Sequence, residues 1–380
     1  MDPRIQIPYG RQDIEEADIA AVVEVLRSEW LTTGPALERF EHDLETWTGG
    51  TPVTAVSSGT AALHCAYAAA GIGPGDEIIT PPITFVATQA AAVHLGATPV
   101  FADVLADTAT LDPSAAEAAI TTRTVAIVAV DYAGHPAELD ELRAITDRHG
   151  LLLIQDAAHS LGSTYRESFV GSIADLTTFS FFPTKNITTG EGGAVSAKDP
   201  ALLERARRFS RQGLVRDRSQ FAIADQGDWH QEVPEFGLNY RLPDILAALG
   251  SQQLGRLVGF KARRAEIKAH YDREFAGLPG LTTPVQRAFV DPVWHLYPLR
   301  VPASERRRIF EELRAMGIGV QVNYLPSYRH PAFGPLLSQL PDCPNAEQFY
   351  AQEISLPIFT RMTDADLDVV VAAVKTCLQR

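Results

Sequence analysis

Residues 151–156 read Leu-Leu-Leu-Ile-Gln-Asp, an apolar run that ends on a carboxylate. A short apolar run of this kind is typical of a buried strand in a parallel sheet. Further strand candidates lie on both sides of it, at residues 53–56, 77–80, 98–103, 124–131, 176–181 and 193–197. Helical stretches alternate with them, near residues 60–70, 84–95, 113–121 and 137–149. This alternation predicts an α/β fold with a mostly parallel seven-stranded sheet that is covered by helices on both faces.

The pattern changes after the last of these strands. Long helical stretches at residues 199–212 and 243–276 lead to a region of mixed elements, with strands at 295–301 and 318–324 and helices at 304–316, 345–353 and 364–378. An amphipathic helix at residues 13–28 precedes the sheet, and residues 213–237 form a polar loop. We therefore predict a large N-terminal α/β domain over residues 1–250 and a smaller α+β C-terminal domain over residues 251–380.

The composition is that of an ordinary globular chain. It has 380 residues, 46% hydrophobic content and a net charge of −14. A core of this size needs no disulfide or metal, and Cys65, Cys343 and Cys377 lack CxxC spacing. An acidic chain without a Lys/Arg tract is not expected to bind nucleic acid or anionic membranes over its whole surface. The N-terminus lacks the features of a signal peptide and no apolar stretch has membrane-spanning length, so we expect a cytoplasmic protein.

Asp156, at the end of the buried run, and Lys185 form the most informative pair of charges. Lys185 follows an apolar strand and precedes a Gly-Glu-Gly-Gly turn at residues 190–193. The ends of parallel strands meet at one edge of the sheet, so both side chains are expected there. A lysine that forms a Schiff base with the aldehyde, and a carboxylate that keeps the ring nitrogen protonated, are the charges that pyridoxal phosphate (PLP) requires. Taken alone, Asp156 could also cap a helix or bind Mg²⁺, and a lone lysine is usually solvated.

Weaker signals surround this pair. Ser57-Ser58-Gly59-Thr60 follows the first strand and opens a helix, where amides and hydroxyls bind phosphate, although a simple N-cap has the same sequence. Phe85 follows the second strand and could stack on a planar ring or belong to the core. His159 could contact the ring, and Ser180 could contact the phosphate.

Together these motifs resemble the DegT/DnrJ/EryC1/StrS sugar aminotransferases, a branch of the fold type I PLP enzymes. The resemblance covers nearly the whole chain and rests on the motifs at residues 7–12, 30–35, 58–63, 84–88, 155–159, 184–193 and 239–241. Family members often carry His where this chain has Phe182 and Asn323. The resemblance implies a homodimeric fold type I enzyme with PLP as cofactor, in which Asn239 reaches the cofactor phosphate of the neighbouring subunit.

The resemblance also implies roles for the candidate residues. Lys185 would form the Schiff base and carry the proton, Asp156 would pair with the ring nitrogen, and His159 would lie near the ring. Phe85 would stack on the ring. The phosphate would be held by Ser58, Gly59, Thr60 and Ser180. The sugar pocket would be lined by Tyr9, Glu29, Trp30, Leu31, Thr32, Tyr324 and Tyr328.

The motifs at residues 7–12, 30–35 and 295–298 are most similar to those of family members that aminate C4 of UDP-linked 4-keto-6-deoxy sugars. The expected reaction is transfer of an amino group from L-glutamate to the 4-keto carbon of a nucleotide-linked 4-keto-6-deoxyhexose. The alternatives are amination of a 3-keto sugar or of a cyclitol ketone, and, in a different class, a non-catalytic sensor of nucleotide sugars. Related sugar dehydratases carry His in place of the lysine, so Lys185 argues against that chemistry.

Overall fold

A seven-stranded sheet forms the centre of the protein. The computed structural model describes residues 5–223, 226–337 and 339–379. The strands in chain order are β1 (Val53–Val56), β2 (Glu77–Thr80), β3 (Thr98–Phe101), β4 (Thr124–Val130), β5 (Leu152–Asp156), β6 (Thr164–Tyr165), β7 (Ser168–Phe169), β8 (Leu176–Ser180), β9 (Gly193–Ala197), β10 (Val290–Asp291), β11 (Tyr297–Arg300) and β12 (Glu353–Leu356). The central sheet has the order β1-β9-β8-β5-β4-β2-β3, and β9 runs against its other strands. The predicted α/β class and the seven predicted strands of a mostly parallel sheet are confirmed.

Helices cover both faces of this sheet. The helices of the described chain, in order, are α1 (Glu16–Leu26), α2 (Pro35–Trp47), α3 (Gly59–Ala69), α4 (Ala87–His94), α5 (Pro113–Ala118), α6 (Leu139–His149), α7 (Pro200–Phe209), α8 (Asp244–Gly255), α9 (Leu257–Phe275), α10 (Arg306–Ala315), α11 (Pro344–Gln352) and α12 (Asp364–Leu378). In β4, Ala126 and Val128 pack with α3, α4 and α7, whereas Ile127 and Ala129 pack with α5 and α6. Both faces of the strand are buried, which is why its sequence is apolar throughout.

The C-terminal part of the chain has its own hydrophobic cluster. Strands β11 and β12 pair antiparallel, and they pack with α9, α10 and α12 around buried residues such as Tyr271, Leu299 and Val370. The N-terminal segment joins this cluster through Ile7, which bridges to Ile318. This contact positions the residues after Ile7, among them Tyr9, at the edge of the central sheet. The domain boundary at residue 250 stays a prediction.

The short strands β6, β7, β10 and β12 were not predicted, and three longer elements also differ from the sequence prediction. Residues 318–324 form no strand but only isolated bridges, because the backbone N–H of Asn323 donates to the Glu353 side chain rather than to a neighbouring strand. The predicted helix at 243–276 is two helices that meet at Arg256, whose side chain bonds to the backbone oxygen of Asp13. Helix α2 was not predicted. It begins at Pro35, a residue type that breaks helices in their interior but is tolerated in the first turn.

None of the helices in the described part of the chain combines the length and the apolar composition that a membrane span needs.

Candidate active site

A cavity of about 560 Å³ lies at the carboxyl ends of the parallel strands. Asp156 is the last residue of β5 and Ser180 the last residue of β8, so both reach this edge. The predicted site residues that line the cavity are Tyr9, Ser58, Gly59, Thr60, Phe85, Asp156, His159, Ser180, Lys185 and Tyr324. Segments that are far apart in the sequence therefore meet at one place, as the strand order requires.

The carboxylate of Asp156 is fixed at the base of the cavity. It is 5% exposed, and its Oδ2 accepts a hydrogen bond of 2.7 Å from the hydroxyl of Thr88. Its Oδ1 accepts a bond of 3.2 Å from the backbone N–H of Ala158. Burial raises the pKa of Asp156, whereas these two bonds and the charge of Lys185 lower it. The net effect is a raised pKa, and the oriented carboxyl group retains lone pairs for a cationic partner, which would favour its ionised form.

Lys185 lies on a loop that is tied to the segment after β5. The side chain amide of Asn186 donates to the backbone oxygens of His159 and Leu161, at 2.9 and 3.0 Å. Burial lowers the pKa of the Lys185 amine to about 8, while the charge of Asp156 opposes this shift. A substantial fraction of the amine is therefore neutral near pH 7.5, and the neutral form is the nucleophile.

Hydroxyl groups gather at the N-terminus of α3, which is 11 residues long. Ser58 is the N-cap, and its Oγ accepts a bond of 3.1 Å from the N–H of Ala61, which leaves its proton free to donate. A Cβ atom at Gly59 would lie 2.8 Å from the Cβ of Ser180, so only glycine allows this close approach. With exposed Thr60, these residues form a cradle that suits a phosphate group.

Two buried imidazoles and a tyrosine form another wall. The Nε2 of His159 lies 3.3 Å from the Tyr324 hydroxyl, and the rings of His159 and His295 are 4.3 Å apart. Among the described residues the Nδ1 atom of His159 has no hydrogen-bond partner, although it is buried. Burial, with the charge of Lys185, lowers the pKa of His159 well below its usual value, so its ring is neutral. This wall presents polar atoms without a net charge.

A second buried carboxylate supports the site from below. Asp131 follows β4 and accepts bonds from the Gln155 amide at 2.8 Å, the Ser160 hydroxyl at 2.5 Å and the N–H of Ala137 at 3.1 Å. Burial raises its pKa to about 7, and the charge of Asp156 adds to this rise. These bonds hold the ends of β4 and β5 together and thus fix the position of Asp156.

Six predicted site residues lie outside the lining of this cavity. Tyr328 is buried, and its hydroxyl donates to Glu347 at 2.7 Å while its ring packs edge-on against Phe101. Asn239 is exposed on the loop that precedes α8. The remaining four are exposed residues between α1 and α2, namely Glu29, Trp30, Leu31 and Thr32. Tyr328 is thus occupied within its own subunit, whereas the roles of the exposed residues stay predictions.

Several cavity residues were not singled out from the sequence. Thr88 holds the Asp156 carboxylate, and its hydroxyl lies 2.9 Å from that of Thr84, which precedes helix α4. The signal in the sequence was the motif at residues 84–88, which contains both threonines but does not indicate the bond to Asp156. His295 and Asn323 also line the cavity, but they come from a segment whose position depends on the packing of the C-terminal cluster. In the described residues no group of three or more His, Cys, Asp or Glu is arranged to hold a metal ion.

The arrangement fits PLP on three observations. The buried carboxylate of Asp156 needs a cationic partner, which a protonated ring nitrogen provides. The amine of Lys185 lines the same cavity. The cradle at the start of α3 brings Ser58, Thr60 and Ser180 to the same cavity, and glycine at residue 59 allows Ser180 to approach α3 closely.

Comparison with known proteins places the chain in a family. Residues 12–375 match the model of the DegT/DnrJ/EryC1/StrS aminotransferase family. The spore coat polysaccharide biosynthesis protein SpsC of Bacillus subtilis is 39% identical over 375 residues, which cover 97% of this chain and 96% of that protein.

Solved structures of similar proteins superpose over almost the whole chain. Spr1654 of Streptococcus pneumoniae is named as a sugar aminotransferase and has been solved in a PMP form and a PLP form. The PMP form is 34% identical to this chain, with a TM-score of 0.93, and the match covers 98% of this chain and 99% of that chain. Helicobacter pylori PseC, an aminotransferase involved in the biosynthesis of pseudoaminic acid, is 33% identical, with a TM-score of 0.91 and the same coverage. This chain therefore belongs to the DegT/DnrJ/EryC1/StrS aminotransferase family, whose aminotransferases use PLP.

Proposed function

We propose that this protein transfers an amino group from L-glutamate to the 4-keto carbon of a nucleotide-linked 4-keto-6-deoxyhexose, most favourably a UDP-sugar. The observation that carries the proposal is the meeting of Asp156, Lys185 and the Ser58–Thr60 cradle in one cavity. The product is a 4-amino-4,6-dideoxy sugar. The two substrates use the same site in turn, so ping-pong kinetics are expected.

Each residue has a defined task in this proposal. When bound, PLP supplies an electron sink for the carbanion at the reacting carbon. Asp156 holds the proton on the ring nitrogen. The amine of Lys185 removes the proton from the α-carbon of glutamate and returns one to the reacting carbon in the reverse half. Ser58, Thr60 and Ser180 donate hydrogen bonds to the phosphate.

The remaining wall of the cavity suits a sugar rather than a second charged group. It contains Tyr9, Asn323 and Tyr324, and the exposed aromatic rings of Phe85 and Phe182 lie at its rim. Aromatic faces pack against the apolar faces of sugar rings, and hydroxyl and amide groups bond to their substituents. Resemblance to the transaminase that makes UDP-4-amino-4,6-dideoxy-N-acetyl-β-L-altrosamine, and the names of PseC and SpsC, also support a sugar substrate.

Product analysis tests the proposed reaction. The enzyme is incubated with PLP, ¹⁵N-labelled glutamate and a panel of 3-keto and 4-keto nucleotide sugars and a cyclitol ketone, and the products are analysed by NMR. We expect ¹⁵N at C4 of a 6-deoxyhexose. Labelling at C3 or on the cyclitol would establish the alternative substrates, and no labelling of any ketone would support the non-catalytic sensor.

We also propose that the enzyme is a homodimer in which Asn239 bonds to the cofactor phosphate of the other subunit. Large apolar side chains near Asn239 support this, since Trp229 is 77% exposed and Phe236 is 95% exposed. The backbone oxygen of Tyr240 accepts a bond of 2.8 Å from the N–H of Ser57, so the loop lies beside the phosphate cradle of its own subunit. A second copy that covers this surface would bring the two cradles close together.

Mixing two inactive variants tests the shared site. Asn239→Asp places a negative charge beside the phosphate, so we expect at least a tenfold loss of activity, and Lys185→Ala lacks the amine. In a mixed dimer, one site contains both defects and the other contains neither. Unfolding and refolding the two variants together should therefore restore a quarter or more of the wild-type activity per dimer, as a rough estimate from random pairing. No recovery, with mixed dimers present by mass spectrometry, would show that Asn239 acts within its own subunit or not at all.

A further inference from the structure

A buried carboxylate lies behind the sugar-facing wall and has no task in the steps above. Glu353 is the first residue of β12 and is fully buried. Its Oε2 accepts a bond of 2.8 Å from the backbone N–H of Asn323, and its Oε1 accepts a bond from the hydroxyl of Ser355. None of the ion pairs among the described residues involves Glu353. Its bonds therefore lead to Asn323 and Ser355 alone.

Asn323 connects this carboxylate to the cavity. Its side chain amide donates to the Ser355 hydroxyl at 3.0 Å and to the Tyr9 hydroxyl at 2.6 Å. Its backbone oxygen accepts a bond of 2.6 Å from the hydroxyl of Tyr132. Both Asn323 and Tyr9 line the cavity. The position of Asn323 is thus fixed at its backbone N–H, its backbone oxygen and its amide group.

This network determines which polar atoms the cavity wall presents. Both amide hydrogens of Asn323 are used, so its Oδ1 remains as an acceptor. The Tyr9 hydroxyl accepts a bond from Asn323, so its own proton remains available to donate. A substituent that both donates and accepts, such as a hydroxyl or an acetamido group, matches this pair.

We propose that Glu353 is a positioning residue for the sugar half of the reaction, which orients Asn323 and Tyr9 to bind a sugar substituent that both donates and accepts a hydrogen bond. The inference rests on the proposed function. Lys185 is the one lysine or arginine among the described residues of the cavity lining, so this wall offers no fixed cation to the carboxylates of the amino donor. Burial raises the pKa of Glu353 to about 8, although the bonds from the Ser355 hydroxyl and the Asn323 N–H oppose this rise.

The two half-reactions separate this role from a general effect on folding. Absorbance of the holoenzyme follows each half-reaction separately. In the glutamate half, glutamate converts the bound PLP; in the sugar half, the aminated enzyme reacts with the keto sugar. For Glu353→Leu we expect the rate constant divided by Kd to fall about tenfold or more in the sugar half, as for the loss of one or two hydrogen bonds. The glutamate half should change less than about twofold. Glu353→Gln keeps an acceptor for the Asn323 N–H and should restore most of the sugar half.

Glu77→Leu is a matched control. Glu77 is also the first residue of a strand, is 4% exposed and accepts a bond from a hydroxyl, that of Thr121; unlike Glu353 it also pairs with Arg123, and it lies outside the cavity lining. The Glu77→Leu variant should have a lower Tm but unchanged rates in both half-reactions. If Glu353→Leu does not fold, Ser355→Ala cuts the same network and should weaken the sugar half severalfold.

The outcomes are distinguishable. Suppose that the wild-type enzyme aminates a keto sugar. The positioning role alone is then overturned if Glu353→Leu slows both half-reactions equally, or if Glu353→Leu and Ser355→Ala leave the kinetics unchanged. A wild-type enzyme that converts no keto sugar would overturn the proposed function and this inference with it.

Discussion

Replacing Lys185 with alanine is expected to lower kcat by about four orders of magnitude. Among the described residues that line the cavity, Lys185 is the one lysine, and in the proposed function its amine supplies both the bond to the cofactor aldehyde and the proton transfer at the reacting carbon. General acid–base catalysis by one positioned group contributes up to about 10⁴-fold. The measurement is turnover of glutamate with the keto sugar, together with the visible spectrum of the bound cofactor, which should change as well.

Two controls make the Lys185→Ala result specific. Lys198 is exposed on the surface, so Lys198→Ala should retain wild-type turnover. A small amine such as methylamine, added to Lys185→Ala, should raise its turnover at least tenfold, because the amine can replace the missing base. Turnover of Lys185→Ala within about tenfold of wild type would contradict the assignment of Lys185.

Asp156→Asn is expected to lower kcat by about 10²- to 10³-fold. Asparagine has nearly the same size and can still accept the bond from the Ala158 N–H, so the main change is loss of the charge. An opposite charge at contact distance shifts a pKa by about 1–3 units, and each unit corresponds to about 1.4 kcal/mol. The ring nitrogen would lose its proton near neutral pH, and the cofactor would stabilise the carbanion less.

The pH dependence of PLP incorporation gives a second measure of Asp156→Asn. The charge of Asp156 raises the pKa of Lys185, which is about 8, so its removal lowers that pKa. Incorporation requires the neutral amine and increases with pH through the pKa, so its midpoint should move to lower pH in the variant. Asp175→Asn is the control. Asp175 forms an ion pair with Arg143, with a distance of 3.0 Å between them, and this pair lies outside the cavity. The Asp175→Asn substitution should therefore change stability but not turnover. An unchanged midpoint and near-wild-type turnover in Asp156→Asn would contradict the proposed charge pairing.

The parts of the fold that depend on local pattern were predictable. All seven strands of the central sheet were predicted, and the clearest were apolar runs such as 124–130 and 152–156, because strands buried on both faces have no polar alternation. The convergence of Asp156 and Lys185 followed from the rule that parallel strands share one carboxyl edge. Motifs at strand ends therefore predicted the base of the cavity.

The parts that depend on contacts between distant segments were not predictable. Segment 318–324 has the composition of a strand, yet the backbone N–H and oxygen of Asn323 bond to the side chains of Glu353 and Tyr132. The bond of Thr88 to Asp156 joins residues 68 positions apart, and nothing in either segment indicates it. Tyr328 has the residue type expected in a sugar pocket, but its hydroxyl is bound to Glu347. In each case the partner is chosen by tertiary packing.

Identification of the lysine that holds the cofactor tests the central claim most directly. The purified holoenzyme is treated with borohydride, which fixes PLP to its lysine, and digested peptides are analysed by mass spectrometry. The chain has five lysines, Lys185, Lys198, Lys261, Lys268 and Lys375, so the assignment is unambiguous. We predict stoichiometric labelling of Lys185 alone. Labelling of one of the other four lysines, or no labelling of a chain that has been supplied with PLP, would contradict the account.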